Sequence, residues 1–187
     1  MLSTINNQQQ QPAFQAKLRA NLGCIPNGEK IINKFESITQ HYKNDVFEVA
    51  NPAIEIGDTG KTFKGAIFLT NGEDTGFMLN FGDFKRFCKT HTPEQVAKSL
   101  AKVFKIGKLA EKTNKQTAEI DRNLKSANLT LFRAQTGTPT RTNQTLANNS
   151  QQRIATLKEK LADLNAKQQA TEQRILKDDP IEKDYWR

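Results

Sequence analysis

The chain of 187 residues contains little cysteine, little tryptophan and no long apolar run. Its two cysteines are Cys24 and Cys88, too few for the disulfide framework of a small secreted scaffold. No apolar stretch approaches the roughly 18 residues that a membrane-spanning helix needs. Hydrophobic residues make up 36% of the chain and the mean hydropathy is −0.70, so a dense core cannot extend along the whole sequence.

The first residues have neither the basic segment nor the apolar segment of a secretory signal. Residues 1–12 are polar, rich in glutamine and end at Pro12. This composition is typical of a disordered tail. We therefore expect a cytoplasmic protein that begins with a disordered segment over 1–12.

Residues 13–132 hold most of the material for a hydrophobic core. A turn at Pro26–Glu29 precedes a run whose apolar residues recur on one helical face. Short runs rich in Phe, Ile and Val follow between residues 46 and 81, separated by turn sequences such as Asn71-Gly72. The pattern predicts an α+β domain in which a small antiparallel β-meander packs with helices.

A long basic helix is predicted over residues 93–126, at the end of this domain. Thr92-Pro93-Glu94-Gln95 combines a capping threonine, a proline at the first helical position and a glutamine that completes a capping box. Gly107 has a low helix propensity, and it predicts a bend within the helix.

The remainder of the chain is predicted as a linker, a further helix and a tail. Residues 133–149 are rich in Thr, Asn and Gln, which indicates a flexible linker. Residues 150–178 repeat apolar positions at alternating spacings of three and four, a heptad pattern typical of a helix that pairs with another helix. Residues 179–187 complete the chain as a tail. The candidate pairing positions are Ile154, Leu157, Leu161, Leu164 and Ile175.

Basic charge is concentrated in the second half of the chain. The whole chain carries 28 Lys and Arg against 20 Asp and Glu. Within the predicted basic helix, six lysines recur on one broad face, a pattern that fits phosphate backbones without reading sequence. An ordinary solvated helix face explains the same pattern. These lysines are Lys98, Lys102, Lys105, Lys108, Lys112 and Lys115.

No motif supports catalysis, a cofactor or a metal. Gly60-Lys61-Thr62 resembles the end of a phosphate-binding loop, but the first glycine of that loop is missing and a strand pattern follows it. Cys88 and His91 have the spacing of metal ligands, and Cys24 and His41 could complete a zinc set. Because Cys24 and His41 are far apart in sequence, we expect no metal site. Since no catalytic motif is found either, we expect no enzyme.

These observations favour a non-enzymatic interaction or adaptor protein. It would use the α+β domain and the C-terminal helix for contacts with a protein partner or with a second copy of itself. The alternative is a protein that binds nucleic acid, or another polyanion, through the six lysines without sequence specificity. Neither hypothesis includes a membrane span.

Overall fold

The computed structural model describes residues 17–20, 25, 27–42, 44–51, 53–56 and 61–183, so the predicted tail over 1–12 lies outside the described residues. The chain divides into two compact units, the first formed by residues 1–107 and 178–187, the second by residues 108–177. This division falls at residue 107, whereas the sequence predicted a domain that ends at 132. The protein is α+β. Its elements are β1 (Lys17–Ala20), α1 (Gly28–Ile38), β2 (Val46–Ala50), β3 (Ala53–Ile56), β4 (Lys61–Thr70), β5 (Glu73–Asn80), α2 (Phe81–Thr90), α3 (Pro93–Thr136), α4 (Arg141–Leu176) and α5 (Pro180–Lys183).

The sheet of the first unit is built around β4, which pairs antiparallel with β2, β3 and β5. β2 and β3 keep one register along β4, because Ala50 pairs with Ile67 and Ala53 pairs with Lys64. The two short strands therefore follow one another along the same strand. β1 extends the sheet by pairing parallel with β2, a pairing that the sequence pattern did not predict.

Phenylalanines form the core between the sheet and the helices. The ring of Phe47 on β2 stacks on Phe35 of α1 with centroids 5.4 Å apart, and it meets Phe104 of α3 edge-on at 5.6 Å. Phe68 on β4 makes a similar edge-on contact with Phe84 of α2 at 5.7 Å. All five rings are fully buried. Offset and edge-on aromatic pairs add to the stability gained from apolar burial, so three helices are held against one face of the sheet.

Gly107 lies where α3 passes closest to the sheet. A Cβ atom at this position would lie 2.7 Å from the Cβ of Thr70 and 2.7 Å from Cγ2 of Thr75. Thr70 is fully buried, and its hydroxyl finds no hydrogen-bond partner among the described residues. α3 runs as one helix from Pro93 to Thr136, so the glycine does not end it. Close packing requires the glycine.

Helix occupies most of the segment that the sequence predicted as a linker. α3 continues to Thr136 instead of ending at 126, and α4 already begins at Arg141, so only residues 137–140 separate them. Thr140 caps α4, since its Oγ1 accepts a hydrogen bond from the amide of Asn143 at 3.2 Å. Low helix propensity in 141–149 suggested a linker, but no proline or glycine interrupts the segment and the cap starts it.

The two helical segments of the second unit form a hairpin, defined here as residues 108–177. Nη2 of Arg153 on α4 donates a hydrogen bond to Oδ1 of Asn123 on α3 at 3.1 Å, which shows that α4 folds back beside α3. Four side chains in this hairpin are buried, and all of them are small or polar. They are Ala110, Thr113, Ala127 and Ser150.

Asp179 and Ile181, which follow α4, are packed into the first unit, whereas the sequence predicted a tail over 179–187, of which residues 184–187 lie outside the described residues. Asp179 is buried, and its Oδ1 accepts hydrogen bonds from Ser99 Oγ at 2.7 Å and from the amide of Ile181 at 3.0 Å. Its other oxygen forms an ion pair with Lys102 Nζ at 2.8 Å. Ile181 is fully buried. The buried carboxylate thus joins the start of α5 to α3.

Candidate interaction surfaces

The first two of the six candidate lysines have ion-pair partners in the first unit. Lys98 pairs with Glu94 one turn earlier at 2.8 Å, and Lys102 holds the buried Asp179. The pKa of Glu94 is lowered, first by the hydrogen bond from Lys98 and then by the positive charges of Lys98 and Lys34. Lys102 therefore has a structural role that the sequence pattern did not reveal.

The second unit contains three further lysines of this set. Lys108 and Lys115 both pair with Glu111, at 2.8 Å and 2.9 Å, whereas Lys112 is exposed. Lys105, on the part of α3 that belongs to the first unit, is also exposed. Lys105 and Lys112 make no ion pair within the described part of the chain. Four of the six lysines are thus partly neutralised by carboxylates.

The predicted pairing positions of α4 lie on its less exposed side. All five are half-buried, while most of the residues between them are exposed. The second unit holds only the two helical segments, so this partial shielding is what packing of α4 beside α3 would produce. The five positions are Ile154, Leu157, Leu161, Leu164 and Ile175.

The cysteine and histidine positions do not form a described metal site. Cys88 is buried, and burial raises the pKa of its thiol to about 12, so the reactive thiolate is disfavoured. Nδ1 of His91 lies 3.1 Å from the carbonyl oxygen of Phe87. His41 packs against the ring of Tyr42, and Cys24 lies outside the described residues. Across the described part of the chain, no three His, Cys, Asp or Glu side chains are grouped to hold a metal ion.

An open cleft of about 530 Å³ lies between α1 and the start of α3. Lys30 and Lys34 line one side, and Thr92 and Glu94 line the other. The capping box already occupies this helix start, because the amide of Gln95 donates to Thr92 Oγ1 and the amide of Thr92 donates to the Gln95 side chain. The cleft therefore presents polar and charged side chains, with the helix start already capped.

Sequence reasoning did not find three exposed large apolar side chains that lie in the hairpin. Phe132 is 62% exposed, Leu129 is 50% exposed and Leu146 is 43% exposed. Their surroundings are basic, since residues 122–158 contain six Lys and Arg and no Asp or Glu. Counting charge in windows shorter than half the chain would have shown this acid-free segment. The exposure of the apolar residues becomes visible only once the helices are paired.

Comparison with known proteins does not assign this chain to a family. No family model matches it, and neither a curated protein nor a solved structure is significantly similar. Among the described residues, no helix combines the length and apolar character required to cross a bilayer. Proposals about function therefore depend on the surfaces described above.

Proposed function

We propose that this chain is a non-enzymatic interaction protein and that its hairpin docks on a further helix through α4. The observation that carries this proposal is the incomplete core of the hairpin. Its buried positions are small or polar, while the five apolar pairing positions of α4 stay half-buried. Ile154, Leu157, Leu161 and Leu164 also follow the alternating spacing of three and four residues that is typical of helix pairing, and the polar Gln168 and Thr171 continue it to Ile175.

The apolar surface still exposed on α4 would contribute to association. Complete burial of one Leu or Ile side chain contributes about 1.5–3 kcal/mol. Each of the five side chains named above is at most about a third exposed, so covering the remainder on one copy would contribute at most about 3–5 kcal/mol before the cost of association is subtracted, and a matching surface on the partner adds a comparable amount. That range supports a reversible complex. A second copy of the chain offers the same apolar positions, so self-association is the form of the proposal that we would test first.

Sedimentation equilibrium of the full chain tests self-association directly. We expect the apparent mass to rise from monomer toward dimer between low and high micromolar concentration. Leu157→Gln should weaken this rise, and Lys158→Gln, which introduces the same residue at the adjacent exposed position, should not. Far-UV circular dichroism confirms that both variants keep their helix content. A monomeric mass at every concentration would refute self-association.

Binding of nucleic acid through the six lysines remains the alternative. It has less support, because four of these lysines are paired with carboxylates. The Lys98–Glu94 pair is exposed and therefore weak, so a polyanion could displace it. The hypothesis predicts oligonucleotide binding that falls steeply with salt and is lost when Lys105 and Lys112 are replaced by glutamate. Fluorescence anisotropy with labelled single-stranded and double-stranded oligonucleotides measures both effects.

A further inference from the structure

One side of α3 in the hairpin combines exposed apolar side chains with cations. We call it the outer face, and it consists of Arg122, Lys125, Leu129, Phe132 and Arg133. At 100° per residue these positions fall within about 100° of arc. All five residues are exposed. The buried and half-buried positions of the same stretch lie on the opposite side of the helix. Those positions are Asn123, Leu124, Ala127, Leu131 and Ala134.

All charged residues of the outer face itself are cations, although Asp121 lies one turn before Lys125. The nearest acidic residues on α3 are Glu119 and Asp121, both before the face begins, and the first on α4 is Glu159. The end of the hairpin, from Arg122 through the loop to Lys158, therefore has no acidic side chain. A second copy of this surface would be repelled, because like charges would meet at close range.

The composition of the outer face fits a lipid surface better than a protein or a nucleic acid. A stable protein interface needs a contiguous apolar centre of several hundred Å², whereas this face offers two large apolar side chains among three cations. Phosphate contacts alone would account for the cations but leave Leu129 and Phe132 without a role. A bilayer with acidic headgroups uses both, since cations attract the headgroups and apolar side chains enter the acyl boundary.

We propose that the outer face of α3 docks on an anionic bilayer, with Phe132 and Leu129 inserted at the interface and Arg122, Lys125 and Arg133 against acidic headgroups. This contact is interfacial and does not require a spanning helix. It is independent of the pairing proposed for α4, which uses other residues on the other helix.

Vesicle flotation of the full chain tests the proposal. We expect binding to phosphatidylcholine vesicles that contain phosphatidylserine and little binding to phosphatidylcholine alone. Phe132→Ser should lower the partition coefficient about tenfold, and Lys125→Glu, which changes the charge by two units, should lower it about thirtyfold. Met78→Ser is the matched control, because Met78 is 46% exposed on β5 in the first unit. It should leave binding unchanged.

Insertion is measured separately from binding. The double variant Phe132→Trp, Trp186→Phe has its single tryptophan on the outer face, because Trp186 is the one tryptophan of the natural sequence. We expect its emission to shift to shorter wavelength and to be quenched by brominated lipids on anionic vesicles.

Three results would overturn the proposal. One is no binding to anionic vesicles, or equal binding to neutral ones. Another is binding that neither Phe132→Ser nor Lys125→Glu changes while helix content is preserved. The third is stronger binding of a labelled RNA oligonucleotide or of polyglutamate with the same dependence on the two variants, which would assign the outer face to a nucleic acid or to an acidic protein.

Discussion

Removal of the Asp179 carboxylate should destabilise the first unit more than removal of an exposed ion pair destabilises the chain. In the native state this buried group accepts hydrogen bonds from Ser99 Oγ and from the amide of Ile181, and it pairs with Lys102. Asp179→Ala leaves the Ser99 hydroxyl buried without its acceptor. Lys102 keeps access to water, because 37% of its side chain is exposed.

The magnitude follows from these three contacts. Loss of the cap on α5 costs about 1 kcal/mol, and loss of the charged hydrogen bond from Ser99 costs about 1.5–3 kcal/mol. The Lys102 pair is partly exposed, so it adds about 0.5 kcal/mol. Release of the carboxylate from a buried site offsets part of this total. We expect a net loss of about 3 kcal/mol, which corresponds to a decrease of about 6–12 °C in Tm for a chain of this length.

Scanning calorimetry of three variants tests the estimate. Asp179→Asn keeps an oxygen for Ser99 and for the cap but loses the charge, so we expect a loss of about 1 kcal/mol. Asp163→Ala is the matched control, because Asp163 forms an exposed ion pair with Lys167 at 2.6 Å. Its effect should stay within about 0.5 kcal/mol. If Asp179→Ala were no more destabilising than this control, the reasoning about the buried carboxylate would be refuted.

Two further predictions concern the core of the first unit. Gly107→Ala should destabilise the first unit by about 1–3 kcal/mol through overpacking. Adding Thr70→Ala to this variant should recover part of the loss, because it removes the hydroxyl nearest to the added methyl group. Urea unfolding measures both effects, and an unchanged stability of Gly107→Ala would contradict the close approach of α3 to the sheet. Alkylation of Cys88, followed by peptide mass spectrometry, should be slow at pH 8 in the native protein and fast in urea, because burial raises the pKa of the thiol to about 12. Since the unfolded chain releases this proton at lower pH than the native chain, the contribution of Cys88 to stability should fall as pH rises toward 12. Rapid alkylation of the native protein at pH 8 would contradict the burial of this thiol.

Local chemistry predicted the start of α3 but not the later course of the chain. The capping box at Thr92–Gln95 forms as its sequence indicates, and α3 begins at Pro93. The helix over residues 141–149 could not be predicted from its Thr, Asn and Gln residues. It begins at the Thr140 cap, and α4 then runs beside α3, a contact that is distant in sequence. The tertiary role of Gly107 was hidden for the same reason, because only the position of Thr70 explains it.

The two binding proposals can be separated by experiment because they use different helices and different interactions. The five pairing positions of α4 are apolar, so pairing through them should respond weakly to salt. Docking of the outer face depends on cations and should weaken as ionic strength rises. Repulsion between two outer faces would disfavour self-association through α3. Leu157→Gln should therefore lower the apparent mass in sedimentation equilibrium without changing vesicle binding per chain. Phe132→Ser should lower vesicle binding without changing the apparent mass. Variants that lowered both together would indicate that one shared surface, or the folding of the hairpin itself, had been disturbed.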